Sequence, residues 1–99
     1  MTLQAFKDTL SNDQPSTSFP PLLQSLWFAA KGDWDRAHTI ADHEGGSDGD
    51  WIHAYLHRVE GDNWNADYWY RRAGRSRPNS SLDEEWAVIT QNLLERLDT

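Results

Sequence analysis

The sequence predicts an all-α fold of five or six helices: two stacked helical hairpins, with a packing helix at each end of the chain. Three observations lead there. Apolar residues recur at steps of three and four along much of the chain. A Gly-Asp pair occurs twice, at Gly32-Asp33 and Gly61-Asp62, each time between two helix-like stretches. Glycine takes the left-handed conformation that ends a helix, and the aspartate carboxylate caps the free N–H groups of the next. An apolar stripe then closes the chain at Trp86, Ile89, Leu93, Leu94 and Leu97. At 99 residues, one domain spanning positions 1–99 is expected.

At the N-terminus, Leu3, Phe6 and Leu10 have helical spacing and suit a short docking helix over residues 1–11. Residues 12–18 are polar, include Pro15, and read as a loop. Pro20 and Pro21 suit the first positions of a helix over 22–31, which is apolar nearly all round and therefore expected at the centre of the core. Gly32-Asp33 turns the chain into a helix over 34–43, which Gly45-Gly46 ends. Residues 44–50, rich in Gly and Asp, are expected to be a loop, with a helix N-cap at Ser47 or Asp48. Its acidic run invites a calcium reading, but the order of ligands in an EF-hand loop is missing. Helices over 51–60 and 63–73 follow, joined at Gly61-Asp62. Gly74 stops the second, and Pro78 prevents it from restarting. Ser81 and Glu84 form a capping box for a last helix over 81–97.

Within the second hairpin Ala66, Tyr70 and Ala73 share one helix face, with two small residues for close approach and a ring between them. Gly61-Asp62, Ala66, Tyr70, Ala73 and Pro78 stand at the spacing of a tetratricopeptide repeat, and this segment resembles that family. Ala37, Gly32 and Asp33 match Ala66, Gly61 and Asp62 in register 29 residues earlier, as a degenerate first copy. In the first helix of the second copy, Asp50, His53, Ala54 and His57 stand where the family prefers Trp, Leu, Gly and Tyr. The phrase from His53 to Ala73 also looks like a group of small bacterial proteins of unknown function. The resemblance implies right-handed stacking of the hairpins, and a concave groove that binds extended peptides.

The net charge of −7 disfavours nucleic acid and anionic membrane as partners. With no cysteine there is neither a disulfide framework nor a thiolate metal site. No basic-then-apolar leader pattern and no membrane-length apolar run is present, and a cytoplasmic location is expected. Catalysis has little support: no nucleophile elbow, phosphate loop or H-E-x-x-H motif occurs, and no enzyme activity is expected.

Two surfaces are candidates for binding. Trp51, Tyr55 and Arg58 fall on one side of a helix, and the resemblance places that side in the groove. Trp69, Arg71 and Arg72 add a basic aromatic cluster that continues to Arg75 and Arg77. Aromatic rings and arginine dominate binding hot spots, so the leading expectation is an interaction module for a protein segment or for a second copy of the chain. The opposing expectations are that the last helix fills the groove, and that Asp67, Glu60 or Glu84 pair the arginines. The other candidate is a histidine cluster. His53 and His57 are four apart, as are His38 and Asp42, and such pairs can hold a transition metal or contact a polar ligand. Against this stand partly buried imidazoles bonded to neighbours such as Asp67 or Tyr68. No cofactor and no metal is expected; a small-molecule or metal-binding domain centred on His38, His53 and His57 is the alternative, and a structural subunit without a ligand site is a third.

Overall fold

The computed structural model describes residues 1–97. The described residues form six α-helices: α1 Leu3–Asp8, α2 Pro21–Ala30, α3 Trp34–Glu44, α4 Gly46–Val59, α5 Asn63–Arg72 and α6 Leu82–Leu97. A single 3-10 turn over Thr9–Ser11 follows α1, and no strand occurs among the described residues. Successive helices pack on one another from α2 to α5, and α6 returns across α4, α2 and α1. The fold is an all-helical bundle.

The two Gly-Asp turns are near copies of each other. Gly32 has φ 83° and Gly61 φ 84°. Asp33 and Asp62 follow with φ/ψ of −91°/76° and −90°/75°. In each turn the aspartate N–H donates five residues back, Asp33 to the Phe28 carbonyl and Asp62 to the His57 carbonyl, both at 2.9 Å. The aspartate carboxylate then accepts from the first turn of the next helix, from Arg36 N at 3.2 Å and Asn65 N at 3.1 Å. A left-handed residue and a helix cap are thus supplied by two adjacent side-chain types, which is why the pair recurs.

Residues 44–50 correct the expected loop. Gly45 (φ 61°) reverses the chain in one step, and α4 starts at Gly46 with no side-chain cap at Ser47 or Asp48. The reason lies in packing. Gly49 sits on α3 so closely that a Cβ there would stand 3.0 Å from the Ala41 carbonyl oxygen. While Gly45 and Gly46 take the positive φ of the turn, Gly49, which reads as a loop former, lets α3 and α4 cross at short range. Ala37, Ala41, Ala54 and Ala66 are fully enclosed and do the same elsewhere.

The core runs through Leu23, Leu26 and Trp27 of α2, Ile52 and Leu56 of α4, Tyr70 of α5 and Ile89 of α6. Phe6 docks α1 between Phe19 and Trp86, with ring centroids 5.1 and 6.1 Å away. The Trp86 indole donates to the Leu26 carbonyl at 2.8 Å, tying α6 to α2. The capping box forms as expected, with Ser81 N donating to Glu84 Oε1 and Glu84 N to Ser81 Oγ, each at 3.1 Å.

The helix α6 decides the fate of the expected groove. Trp51 is 4% exposed and Tyr55 6%, so neither presents an open surface. Burying two large rings is worth roughly 2–3 kcal/mol each, more than solvent-exposed placement offers. Arg58 is drawn in with them. It pairs with Glu85 of α6 at 2.8 Å and donates to the Ser80 carbonyl. Burial also pushes the Tyr55 hydroxyl up to about 12, with the Glu85 and Asp83 carboxylates adding to the effect.

Candidate functional site

Three helices each contribute a pair of side chains four residues apart, and the six meet at one place. From α3 come Trp34 and His38, from α4 His53 and His57, from α5 Asn65 and Trp69. At this spacing both members of a pair project from the same helix face. The His38 and His53 rings meet through their Nε2 atoms at 2.9 Å. His57 lies beside both, with ring centroids 5.3 Å from His38 and 4.9 Å from His53. One ring nitrogen from each of the three lies within 4.8 Å of the others.

Aromatic walls hold these rings. Trp34 stacks on His38 at 4.6 Å and donates its indole N–H to the Leu56 carbonyl at 2.7 Å. Trp69 stacks on His53 at 3.7 Å with the planes 12° apart. The Arg72 guanidinium lies over Trp69 at 4.8 Å and reaches Asp50 at 3.6 Å.

One carboxylate holds an outer nitrogen directly. Glu60 Oε1 sits 2.5 Å from His57 Nδ1. A carboxylate only accepts, so Nδ1 of His57 carries the proton, and Asn65 Nδ2 stands 3.5 Å from its Nε2. Asp42 Oδ1 stands 3.8 Å from His53 Nδ1, beyond hydrogen-bond reach, and acts on it only as a nearby charge. Burial holds both His53 and His38 below the usual imidazole range, and the neighbouring histidines push the same way. His53 is lowered to about 4. At neutral pH these are uncharged imidazoles, the form that donates a lone pair to a metal.

The sequence named His38, His53, His57 and Asp42, and the structure brings them together. It does not use Asp67 or Tyr68 as their partners: Asp67 pairs with Arg77 at 2.9 Å, and the Tyr68 hydroxyl faces Arg72 at 3.4 Å. The sequence reading missed Trp34, Glu60 and Asn65. Trp34 precedes His38 by four residues and Glu60 follows His57 by three, so helical spacing carried the signal for both. Asn65 needed the turn at Gly61-Asp62 to bring α5 back.

The arginine cluster divides. Arg72 belongs to the wall of the histidine site, and Arg77 pairs with Asp67. Arg71 is exposed and has no ion-pair partner among the described residues. Neither Glu60 nor Glu84 takes an arginine among the described residues: Glu60 meets His57, and Glu84 meets Ser81. Trp69 is half-buried against His53, so it lines the histidine site rather than an open docking surface. No helix among the described residues is long and apolar enough to cross a membrane. No protein-family model matches the chain, and no curated protein or solved structure matches it significantly.

Proposed function

We propose that this chain is a small binding domain that holds a first-row transition-metal dication, zinc foremost, on His38, His53 and His57. The single observation behind the reading is the convergence of three imidazoles from two helices, with ring nitrogens within 4.8 Å of one another. Imidazole suits zinc, copper, nickel and iron, and three histidines leave further positions open for water or a ligand. In a tetrahedral zinc site, donor nitrogens stand roughly 3.3 Å apart, given bonds of about 2.0–2.1 Å. The 2.9 Å pair of His38 and His53 needs to part by only a few tenths of an ångström, with His57 moving in. Glu60 on His57 supplies an outer carboxylate of the kind that orients metal-bound imidazoles, and Asp42 adds a nearby charge at His53.

Zinc titration by calorimetry, with metal content measured after dialysis, tests this. One equivalent is expected to bind. His38→Gln and His57→Gln should each weaken it strongly, while His43→Gln, at a histidine outside the cluster, should not. The absence of a stoichiometric site, or equal effects of all three substitutions, would remove the metal reading.

A second reading keeps the protein-segment module of the leading expectation, now moved to the outer face of α5. Trp64 is 83% exposed there, and Tyr68, Arg71 and Arg72 are exposed beside it. The tetratricopeptide-like arrangement of the hairpins α2–α3 and α4–α5 belongs to this reading, supported by the two matching Gly-Asp turns. Its test is crosslinking at Trp64 replaced by a photoreactive residue; crosslinks neither to another protein nor to a second copy would end it.

A further inference from the structure

The opposite side of α5 from the histidine site carries a second feature, independent of the metal reading. Arg71, Arg75 and Arg77 open onto one cavity of about 400 Å³, which Ser76 and Asn79 complete with neutral polar groups and Asp67 borders. The chain has 16 acidic residues against nine basic ones, so carboxylates are plentiful. Only Asp67 is placed here, and Arg77 takes both of its oxygens, at 2.9 and 3.4 Å. Arg71 and Arg75 have no carboxylate partner among the described residues. The cavity therefore carries a local charge of about +2 within a strongly acidic protein.

Arg75 is held in a way that leaves its donors free. Its guanidinium carbon sits over the Trp51 ring, 3.4 Å from the ring centroid. A guanidinium stacked by its face keeps its N–H groups at the edge. Trp51 cannot swing away, because it is buried and its indole N–H points at Glu85 Oε2, 3.3 Å distant. Glu85 borders the adjoining cavity but does not neutralise Arg75, since its oxygens accept from Arg58 and Tyr70 as well as Trp51. The backbone is fixed too: Arg75 N donates to the Tyr70 carbonyl at 2.8 Å, closing α5 at Gly74.

We infer that Arg71 and Arg75 form an oxyanion site that takes a phosphate or carboxylate group of a small ligand, with Ser76 and Asn79 as neutral donors and the pre-stacked Arg75 as the anchor. Two parallel N–H···O bonds from a fixed guanidinium are the geometry such groups prefer. A lysine at position 75 would not stack and would not reproduce it.

The test is nitrogen-15 NMR of the full chain at low ionic strength, following the arginine Nε–H signals. Inorganic phosphate and succinate are titrated separately, which distinguishes the two sources of the oxyanion. One or both should shift the Arg71 and Arg75 signals saturably. Arg75→Gln and Arg71→Gln should each weaken binding about tenfold or more, as expected for loss of a charge-assisted bidentate contact. Arg36→Gln, at an arginine paired with Asp33 on α3, should leave it unchanged. Circular dichroism of each variant verifies the helical fold. Non-saturable shifts with both anions, or equal weakening by Arg36→Gln, would overturn the site and leave only general attraction to a basic patch.

Discussion

Replacing Glu85 by alanine should cost this protein a large share of its stability. Glu85 is 2% exposed, yet it is an acid in the first turn of α6. Its oxygens accept from Arg58 Nη1 at 2.8 Å, from the Tyr70 hydroxyl at 2.7 and 2.6 Å, and from Trp51 Nε1 at 3.3 Å. Three elements meet on one carboxylate: α4 through Trp51 and Arg58, α5 through Tyr70, and α6 through Glu85 itself. Removing one partner of a buried ion pair costs about 3–5 kcal/mol, because the other charge stays behind unpaired. Part of that is discounted here, since the Arg58 side chain is 15% exposed and keeps some water. We expect about 3 kcal/mol for Glu85→Ala, against a total of about 5–15 kcal/mol for a domain of this kind. Urea denaturation followed by tryptophan fluorescence reads it as a drop in midpoint at constant slope. The double replacement Arg58→Met with Glu85→Leu should recover the part of the loss that comes from the unpaired charge, while the Tyr70 hydroxyl and the Trp51 N–H stay without their acceptor. A loss under about 1 kcal/mol for Glu85→Ala, or strictly additive effects of the pair, would refute the reasoning.

Three further outcomes follow from the same contacts. His53 is lowered to about 4 in the fold against about 6.5 unfolded, so the unfolded chain binds the extra proton first. Stability from this group is therefore complete above pH 6.5 and declines by up to about 3 kcal/mol as pH falls toward 4, and denaturation midpoints across that range should show the fall shrink in His53→Gln, with His38 keeping a share of it. Glu60→Gln should weaken zinc binding about 10–100-fold with the fold intact, because the amide can turn its oxygen or its NH₂ toward His57 and no longer enforces the Nδ1–H form; calorimetry measures it. Gly61→Ala forces a side chain onto φ 84° and should cost about 1–2 kcal/mol in thermal unfolding, although nothing lies within 4 Å of the added methyl.

How much the sequence settled depends on the range of each interaction. The helices, both Gly-Asp turns and the Ser81–Glu84 box were legible because their causes lie within five residues: a left-handed glycine, a capping aspartate, a repeat of three and four. The misread loop at residues 44–50 shows the limit of that rule. Gly49 had the composition of a loop, but its lack of a side chain serves the crossing of α3 over α4, and only the crossing tells the two apart. The histidine site was half visible. Pairs at i and i+4 could be read along α3 and α4, and their convergence required those helices to pack with their histidine faces inward. Glu85 was not visible at all, and the groove stood between two readings, a binding face or a face filled by the last helix. An acid beside a capping box looks solvated, and Trp51, Tyr55 and Arg58 look like a binding face until α6 lies across them. Local sequence chose which segments became helices and where the chain turned. Burial of large rings and pairing of charges between distant helices, which only the assembled fold brings into reach, chose which faces were sealed and which stayed exposed.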